Sequence, residues 1–498
     1  MVLLFGWKSQ REKFNFTVMS WHHINTRRIS LQMCLFWNDG FNKKHRATYG
    51  IGVSNFLNFF NGRKTEYHVD AGEWEDYRRG QNALLDRRVF VRTLPWEAQE
   101  YLEQQLGRRQ ASFPQDLSAL SDGELLALQR RTAEEVAWTN SRTWMIYLIN
   151  DLIAERVREH LRGRVSDRAK ADEYLLNFST PLEPNDAMKE RMALLELRSE
   201  RPRLSPAAFR QKLEEHARQY EHIPMFGFDH TPYVLSDFVR MLEEISGGEG
   251  ELRQLTETMA NRKVLFERHL EELGLAETDE LFDLIRLLKH TVFVRDYRDT
   301  LRQKMYLLDR YMYEEMGRRL GNLTAEEATN LTSEEIADGL NGGDRAKFRL
   351  LAEERKKGFL VIERSGHLEV FSGDEAHSAA RRELALPGTA SDRVIRGVGA
   401  SRGRAAGPAR LIETNQELGK IRSGDVMITH VTRQDFVPAM RRCVAIVTDE
   451  GGITNHAAII AREFGLPCVV GAKGALAEFK DGEEVEVDAD AGTVERRH

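Results

Sequence analysis

The chain has 498 residues, 41% hydrophobic and 30% charged, with a formal net charge of −6. That length predicts about three domains with ample core, and the mild negative charge argues against a generic nucleic-acid binder. Three widely spaced cysteines, Cys34, Cys443 and Cys468, show no metal-ligand spacing, and no apolar run is long enough for a membrane span. A cytoplasmic protein with reduced thiols and no metal of its own is expected.

Residues 1–19 read as a tail. The run Met1-Val2-Leu3-Leu4-Phe5-Gly6-Trp7 is too short for a signal-peptide core and has no basic region before it, and Met19 is an alternative natural start. Segment 20–95 is the most aromatic part and predicts a small α+β subdomain. Strands are expected over 29–37, 47–53 and 65–69, with turns at Asn38-Asp39-Gly40 and Asn61-Gly62-Arg63. Residues 55–60 fit a further strand or a helical turn, and a helix is expected over 73–88. Phe56, Phe59, Phe60 and Trp74 are expected in its core.

From 96 to 385 apolar residues recur three and four apart among charges, which predicts an irregular all-α domain. The expected helices span 117–135, 144–160, 206–220, 235–245, 252–273, 280–295 and 297–320. Ser205-Pro206 and Thr324-Ala325-Glu326-Glu327 are helix-start signals, and the glycine clusters at 246–250 and 339–343 are breaks. Residues 222–233 stand out as a loop with two prolines, a glycine and several large side chains. His222, Phe226, Asp229, His230 and Tyr233 make it the first choice for the wall of a substrate pocket, with Asp229 or His230 as a base. A hairpin is expected over 358–371 and a linker at 386–392.

Residues 393–498 alternate short strands with loops, predicting a compact β/β/α domain. Strands are expected over 409–412, 426–429, 444–448, 468–470 and 484–487, and helices over 438–442 and 455–464. The β-branched stretch 444–448 runs into Gly451-Gly452 and then Thr454-Asn455-His456-Ala457-Ala458-Ile459-Ile460-Ala461. His456 thus falls where strand passes to helix, beside unpaired backbone N–H groups that suit an anion. Spacing alone fits equally a nucleophilic imidazole that takes a phosphoryl group and a histidine that merely caps a helix.

This run resembles the phosphohistidine signature of the phosphoenolpyruvate-utilising enzymes, which include phosphoenolpyruvate synthase, pyruvate phosphate dikinase and rifampicin phosphotransferase. The resemblance extends through Thr432-Arg433-Gln434-Asp435-Phe436-Val437-Pro438-Ala439-Met440, Gly465-Leu466-Pro467-Cys468-Val469-Val470-Gly471 and Gly399-Ala400-Ser401-Arg402-Gly403-Arg404-Ala405-Ala406-Gly407. Arg402 stands where the family usually has Pro, and Asn455 where it has Ser or Cys. The resemblance implies a swivelling domain with His456 as the phosphorylated residue, open to solvent on a module free to travel. Gly451, Gly452, Thr454 and Arg462 are expected around the phosphoryl group; Thr454 and Asn455 are both good N-caps, and Thr454 is expected to cap the helix.

No stretch resembles the ATP-grasp domain or the phosphoenolpyruvate-binding barrel of those enzymes, and the glycines at 247–250 have no Lys close behind them. By analogy the chain is a phosphotransferase component. A separate ATP-grasp subunit would load His456 from ATP and Mg2+, or a partner would load it from phosphoenolpyruvate. The arm would then pass the group to a small-molecule acceptor in the helical domain, with no tightly bound cofactor, nucleic acid or membrane involved. The alternative is a non-catalytic phosphocarrier or regulator whose helical domain docks a partner protein.

Overall fold

The computed structural model describes residues 19–228, 230–245, 249–384, 394–413, 415–432 and 436–497. Residues 1–18 of the tail, Asp229, residues 246–248 of the expected glycine break, the 386–392 linker and the Arg433-Gln434-Asp435 part of the signature lie outside the described residues.

The N-terminal sheet begins with β1 (Trp21–Arg27), which was not among the expected strands. The run 29–37, expected as a strand, is helix α1 (Leu31–Asp39). Leu31, Gln32, Met33, Cys34, Phe36 and Trp37 are all buried, so the helix is covered nearly all round and leaves no 3.6-residue period to read. The helix runs through the expected Asn38-Asp39-Gly40 turn, by way of a π-turn at Gly40–Lys44, into α2 (His45–Tyr49). The strand expected at 47–53 is therefore absent. Strands β2 (Phe56–Phe60) and β3 (Thr65–Asp70) and helix α3 (Ala71–Leu85) follow as expected, with Asp70 accepting from the Glu73 N–H as N-cap.

Two further strands of this sheet arrive some three hundred residues later. These are β4 (Phe359–Arg364) and β5 (His367–Ser372), which form the expected hairpin. The antiparallel order is β1-β3-β2-β4-β5, with Phe60 opposite Phe359. The 20–95 segment is thus not a closed unit by itself. Alternate residues divide the sheet's two faces, as the pleat requires. Leu57, Phe59, Leu360 and Ile362 pack against Ala376, Ala379 and Ala380, whereas Phe56, Phe60, Tyr67 and Val361 face the helices and Trp144.

Between these strands lie α4 (Arg88–Ser112), α5 (Asp122–Arg164), α6 (Arg168–Phe178), α7 (Asp186–Glu200), α8 (Pro206–Tyr220), α9 (Leu235–Glu244), α10 (Glu249–Glu272) and α11 (Glu280–Arg319). Two pairs of expected helices are continuous: 117–135 with 144–160 in α5, and 280–295 with 297–320 in α11. Neither junction holds Gly or Pro, and the charges at 295–302 disturb the apolar period without breaking the backbone. Short helices α12 (Ala325–Thr329) and α13 (Ser333–Leu340) start with the Thr324/Glu327 and Thr332/Glu335 capping boxes. Helices α14 (Arg345–Lys357) and α15 (Gly373–Glu383) complete this part.

The C-terminal domain comprises β6 (Ile395–Arg396), β7 (Val398–Ser401), β8 (Arg404–Ile412), β9 (Val426–Thr429), α16 (Val437–Met440), β10 (Ala445–Thr448), α17 (His456–Phe464), β11 (Cys468–Val470), α18 (Ala475–Glu478), β12 (Glu484–Asp488) and β13 (Thr493–Arg496). Its sheet order is β6-β13-β12-β8-β9-β10-β11-β7, parallel from β8 to β11 and antiparallel elsewhere. One core is its own, with Val426, Ile428, Val447, Val469 and Val485 at its centre. A second core is shared: Phe436, Met440, Ile453, Ile459 and Ile460 cluster with Ile149, Ile153, Leu288 and Val292 of α5 and α11. The domain is docked on the helices. No helix among the described residues is long and apolar enough to cross a membrane.

Candidate active site around His456

Strand β10 is buried along its length and delivers the chain to Gly451, whose φ of +102° only a residue without Cβ enters cheaply. A Cβ there would also collide with the Asn455 side chain, and one at Gly452 would lie 2.7 Å from Asp151 Oδ1. The two glycines therefore serve different approaches, one within the turn and one between the C-terminal domain and α5. Asn455, not Thr454, is the N-cap of α17: its Oδ1 accepts from the Ala458 N–H at 2.8 Å. Thr454 is fully buried, with its hydroxyl accepting from Arg295 Nη1 at 2.8 Å and donating to Asp151 Oδ1 at 3.2 Å. The Thr454 hydroxyl thus joins the docked domain to the helices, where sequence had it capping α17.

His456 is the first residue of α17 and is half-buried, not open to solvent. Its Nδ1 lies 2.9 Å from Thr432 Oγ1. In the tautomer where Nδ1–H donates to that hydroxyl, the lone pair sits on Nε2. The ring borders a small pocket of about 30 Å3 whose far wall comes from Arg27 of β1, Tyr147 of α5 and Arg295, Asp296, Arg298 and Asp299 of α11. The guanidiniums of Arg295, Arg298 and Arg27 lie over the Tyr147 ring at 4.8, 5.0 and 6.0 Å from its centroid. Burial lowers the Arg298 guanidinium to about 10, which leaves it charged at neutral pH. Burial alone would raise the Asp299 carboxyl, but Arg298, Arg302, Arg27 and His456 outweigh it and hold the group below its ordinary value.

This charged wall was not singled out in the sequence. Its signal is Arg295, Arg298 and Arg302 at offsets of three and four residues on a helix whose other faces are apolar, with Asp296 and Asp299 among them. Such a row is either a solvated stripe or a buried site, and here Arg295 and Arg298 are buried.

Arg462 does not line the pocket. Its guanidinium donates to the carbonyls of Ala400 (3.1 Å), Ile453 (2.9 Å) and Ser179 (3.1 Å), tying α17 to β7 and to the end of α6. Further links hold the domain in place: Arg262 with Glu463, Arg441 with Glu251, Lys64 with His430, and Thr26 with Glu450.

The 222–233 loop lies elsewhere. His222 is buried, with Nε2 3.2 Å from Asp186 Oδ2. Arg310 donates to the carbonyls of Phe228 and His230, and His230 is buried while Phe226 is half-buried. Tyr233, with Ile223, borders a cavity of about 630 Å3 between α7, α9 and α16. That cavity shares no lining residue with the His456 pocket. The loop residues and His456, predicted as parts of one acceptor site, are not brought together.

Residues 421–492 match the family model described as PEP-utilising enzyme, mobile domain. The probable phosphoenolpyruvate synthase of Archaeoglobus fulgidus is 50% identical over 101 residues, covering 20% of this chain and 13% of that protein. The phosphoenolpyruvate synthase of Pyrococcus furiosus is also 50% identical over 101 residues, covering 20% and 12%. The chain therefore spans only a small fraction of the length of these relatives. Among solved structures, the holo-form of Thermococcus kodakaraensis aconitase X aligns with 21% of this chain and 99% of its own at 18% identity and a TM-score of 0.18. The C-terminal part of the chain carries the mobile domain of the PEP-utilising enzymes.

Proposed function

We propose that the chain is the phosphoryl-carrying component of a phosphotransferase, with the group borne on His456 Nε2, and that the docked arrangement is the station where it is handed on. The observation that carries this reading is the row Arg27, Arg295 and Arg298 facing the imidazole across a pocket large enough for little more than a phosphoryl group. Phosphoryl transfer needs alignment and charge neutralisation more than covalent help from the protein. Thr432 orients the ring, the start of α17 adds its dipole, and the guanidiniums meet the charge on the equatorial oxygens.

Loading takes place on a separate partner that supplies the group from ATP or phosphoenolpyruvate. For that, the domain leaves its dock, breaking the Thr454–Arg295 and Arg462–Ser179 links and exposing Ile453 and Ile459. The loading partner must offer a surface in exchange, because so much apolar area is not left open to water cheaply.

Incubation with phosphoramidate, a small donor that needs no partner, tests the site. Acid-labile, base-stable phosphate is expected on the wild type and none on His456→Ala. Label that persists in His456→Ala overturns the assignment.

A further inference from the structure

The cavity between α7, α9 and α16 holds about 630 Å3, within the range that takes a drug-sized molecule, and its walls come from both parts of the chain. Helix α7 contributes Ala187, Glu190, Arg191 and Leu194, which share one face of the helix. Leu194 and Ile223 belong to the small core that α7 builds with α8 and α9. Ile421 and Val437 belong to the core beneath the docked domain. The cavity lies where these two cores come near each other without merging, and Met241 and Pro438 complete its apolar lining.

The charges around it divide into paired and spare. Glu251 of α10 accepts from Arg191 Nε at 2.8 Å and Nη2 at 2.7 Å, and from Arg441 Nη1 at 2.8 Å, bridging α7 to the C-terminal domain. Glu190 has its Oε1 3.1 Å from His216 Nε2. Arg422 and Arg442 are exposed and meet no carboxylate among the described residues. Arg422 donates to the Gly419 carbonyl at 2.7 Å, and Arg442 donates to those of Ile421, Pro438 and Leu418 at 3.3, 3.3 and 3.4 Å. A carbonyl leaves their charge uncompensated. Counting Glu251 with the lining, four arginines stand against Glu190, Glu244 and Glu251, so one positive charge is in excess.

We propose that this cavity binds an amphipathic organic anion, an apolar or aromatic body carrying a single carboxylate, and that its occupant holds the C-terminal domain on the helices. The body covers Leu194, Ile223, Met241 and Val437, and the carboxylate lies on the side of Arg422 and Arg442. One wall comes from α7 and α9 and the other from residues 421–442, so the complete site exists only while the domain is docked. A ligand that needs both walls is lost when the domain leaves, and by linkage it opposes that departure. The cavity shares no lining residue with the His456 pocket, which makes the occupant a brake on the domain and not the phosphoryl acceptor. The binding site stands on its own geometry, and its meaning as a brake rests on the carrier reading above.

Calorimetric titration of the full chain with 4-phenylbutyrate, 4-phenylbutanol and acetate separates the body from the charge. Saturable binding is expected for 4-phenylbutyrate, with the alcohol and acetate each weaker by about tenfold or more. Arg422→Gln and Arg442→Gln together should weaken it by about tenfold, and Met241→Trp, which takes up part of the volume, by at least as much. With 4-phenylbutyrate at about a hundred times its dissociation constant, amide exchange of α16 and α17 through undocking should slow by about a hundredfold. No saturable binding, equal binding of acid and alcohol, or binding that both sets of variants leave unchanged overturns the site. Binding that leaves exchange in α16 and α17 as it was overturns the hold on the domain. None of these readouts involves phosphate. A chain that takes phosphate on His456 but binds no 4-phenylbutyrate sinks this inference alone, whereas one that binds it and takes no phosphate removes only the carrier reading.

Discussion

Two stretches of the helical part hold titratable side chains away from water, and they do so in opposite ways. In the 222–233 loop the polar contacts are made to the fold's own groups: His222 meets Asp186, and Arg310 takes the carbonyls of Phe228 and His230. On α11, Arg295, Arg298 and Asp299 line a pocket shared with an imidazole from another domain. A loop dense in aromatic and imidazole side chains draws the eye in a sequence. What marks a site is a cluster of buried charge with one sign in excess, set against a group from another domain.

The largest effect that sharpens this contrast is on transfer. Arg298→Gln is expected to slow loss of phosphate from loaded His456 to an acceptor by about 10²–10³-fold. Phe226→Ala and Tyr233→Phe should leave it within about twofold. Quantitative release of label over time checks both, and a loop variant as slow as Arg298→Gln would erase the distinction.

Stability should show the reverse pattern. Removing the His222 ring in His222→Leu leaves Asp186 without its buried partner, a loss of about 1–3 kcal/mol by denaturant unfolding. Docking responds more mildly. Thr454→Val deletes the hydroxyl shared by Arg295 and Asp151 and weakens the dock by about 1 kcal/mol, read as faster amide exchange in α17 with the overall unfolding midpoint little changed.

A last effect, confined to one contact, is that of pH on the meeting of β1 with the turn after β10. Burial pushes the Glu450 carboxyl up to about 7, with His430, the Thr26 hydrogen bond and Arg27 pulling it back. An acid whose folded value lies above its unfolded one favours the docked state while protonated. Its contribution is therefore full below about 4.5 and is lost as pH rises toward 7. His23 beside it is lowered to about 4, chiefly by burial, so its own contribution is lost as pH falls from 6.5 toward 4. Glu450→Gln should remove the loss on the alkaline side, as seen in α17 exchange rates measured between pH 5 and 8.

Much of the C-terminal domain was legible because its signals are local. A β-branched strand, a glycine pair and an N-cap in succession place His456 at the start of α17 whatever surrounds it. The same locality set the limit. That Asn455 caps and Thr454 crosses to Asp151 depends on a surface three hundred residues away, which no window contains. Helix α1 was misread for a related reason: a segment covered on all sides shows no period, so 29–37 looks the same as a buried strand. The arginines of α11 were visible at helical spacing, but only their burial against Tyr147 and His456 separates them from a solvated stripe.

The pairing of Phe60 with Phe359 bears on how the protein is made. While a ribosome is still working through the helices, β2 waits with a bare, phenylalanine-rich edge that invites pairing with neighbouring chains. Closure needs a contact of very long sequence separation, the slow kind. A nascent chain halted before residue 372 is thus a client for chaperones, and the C-terminal domain emerges only once the platform it docks on can be finished.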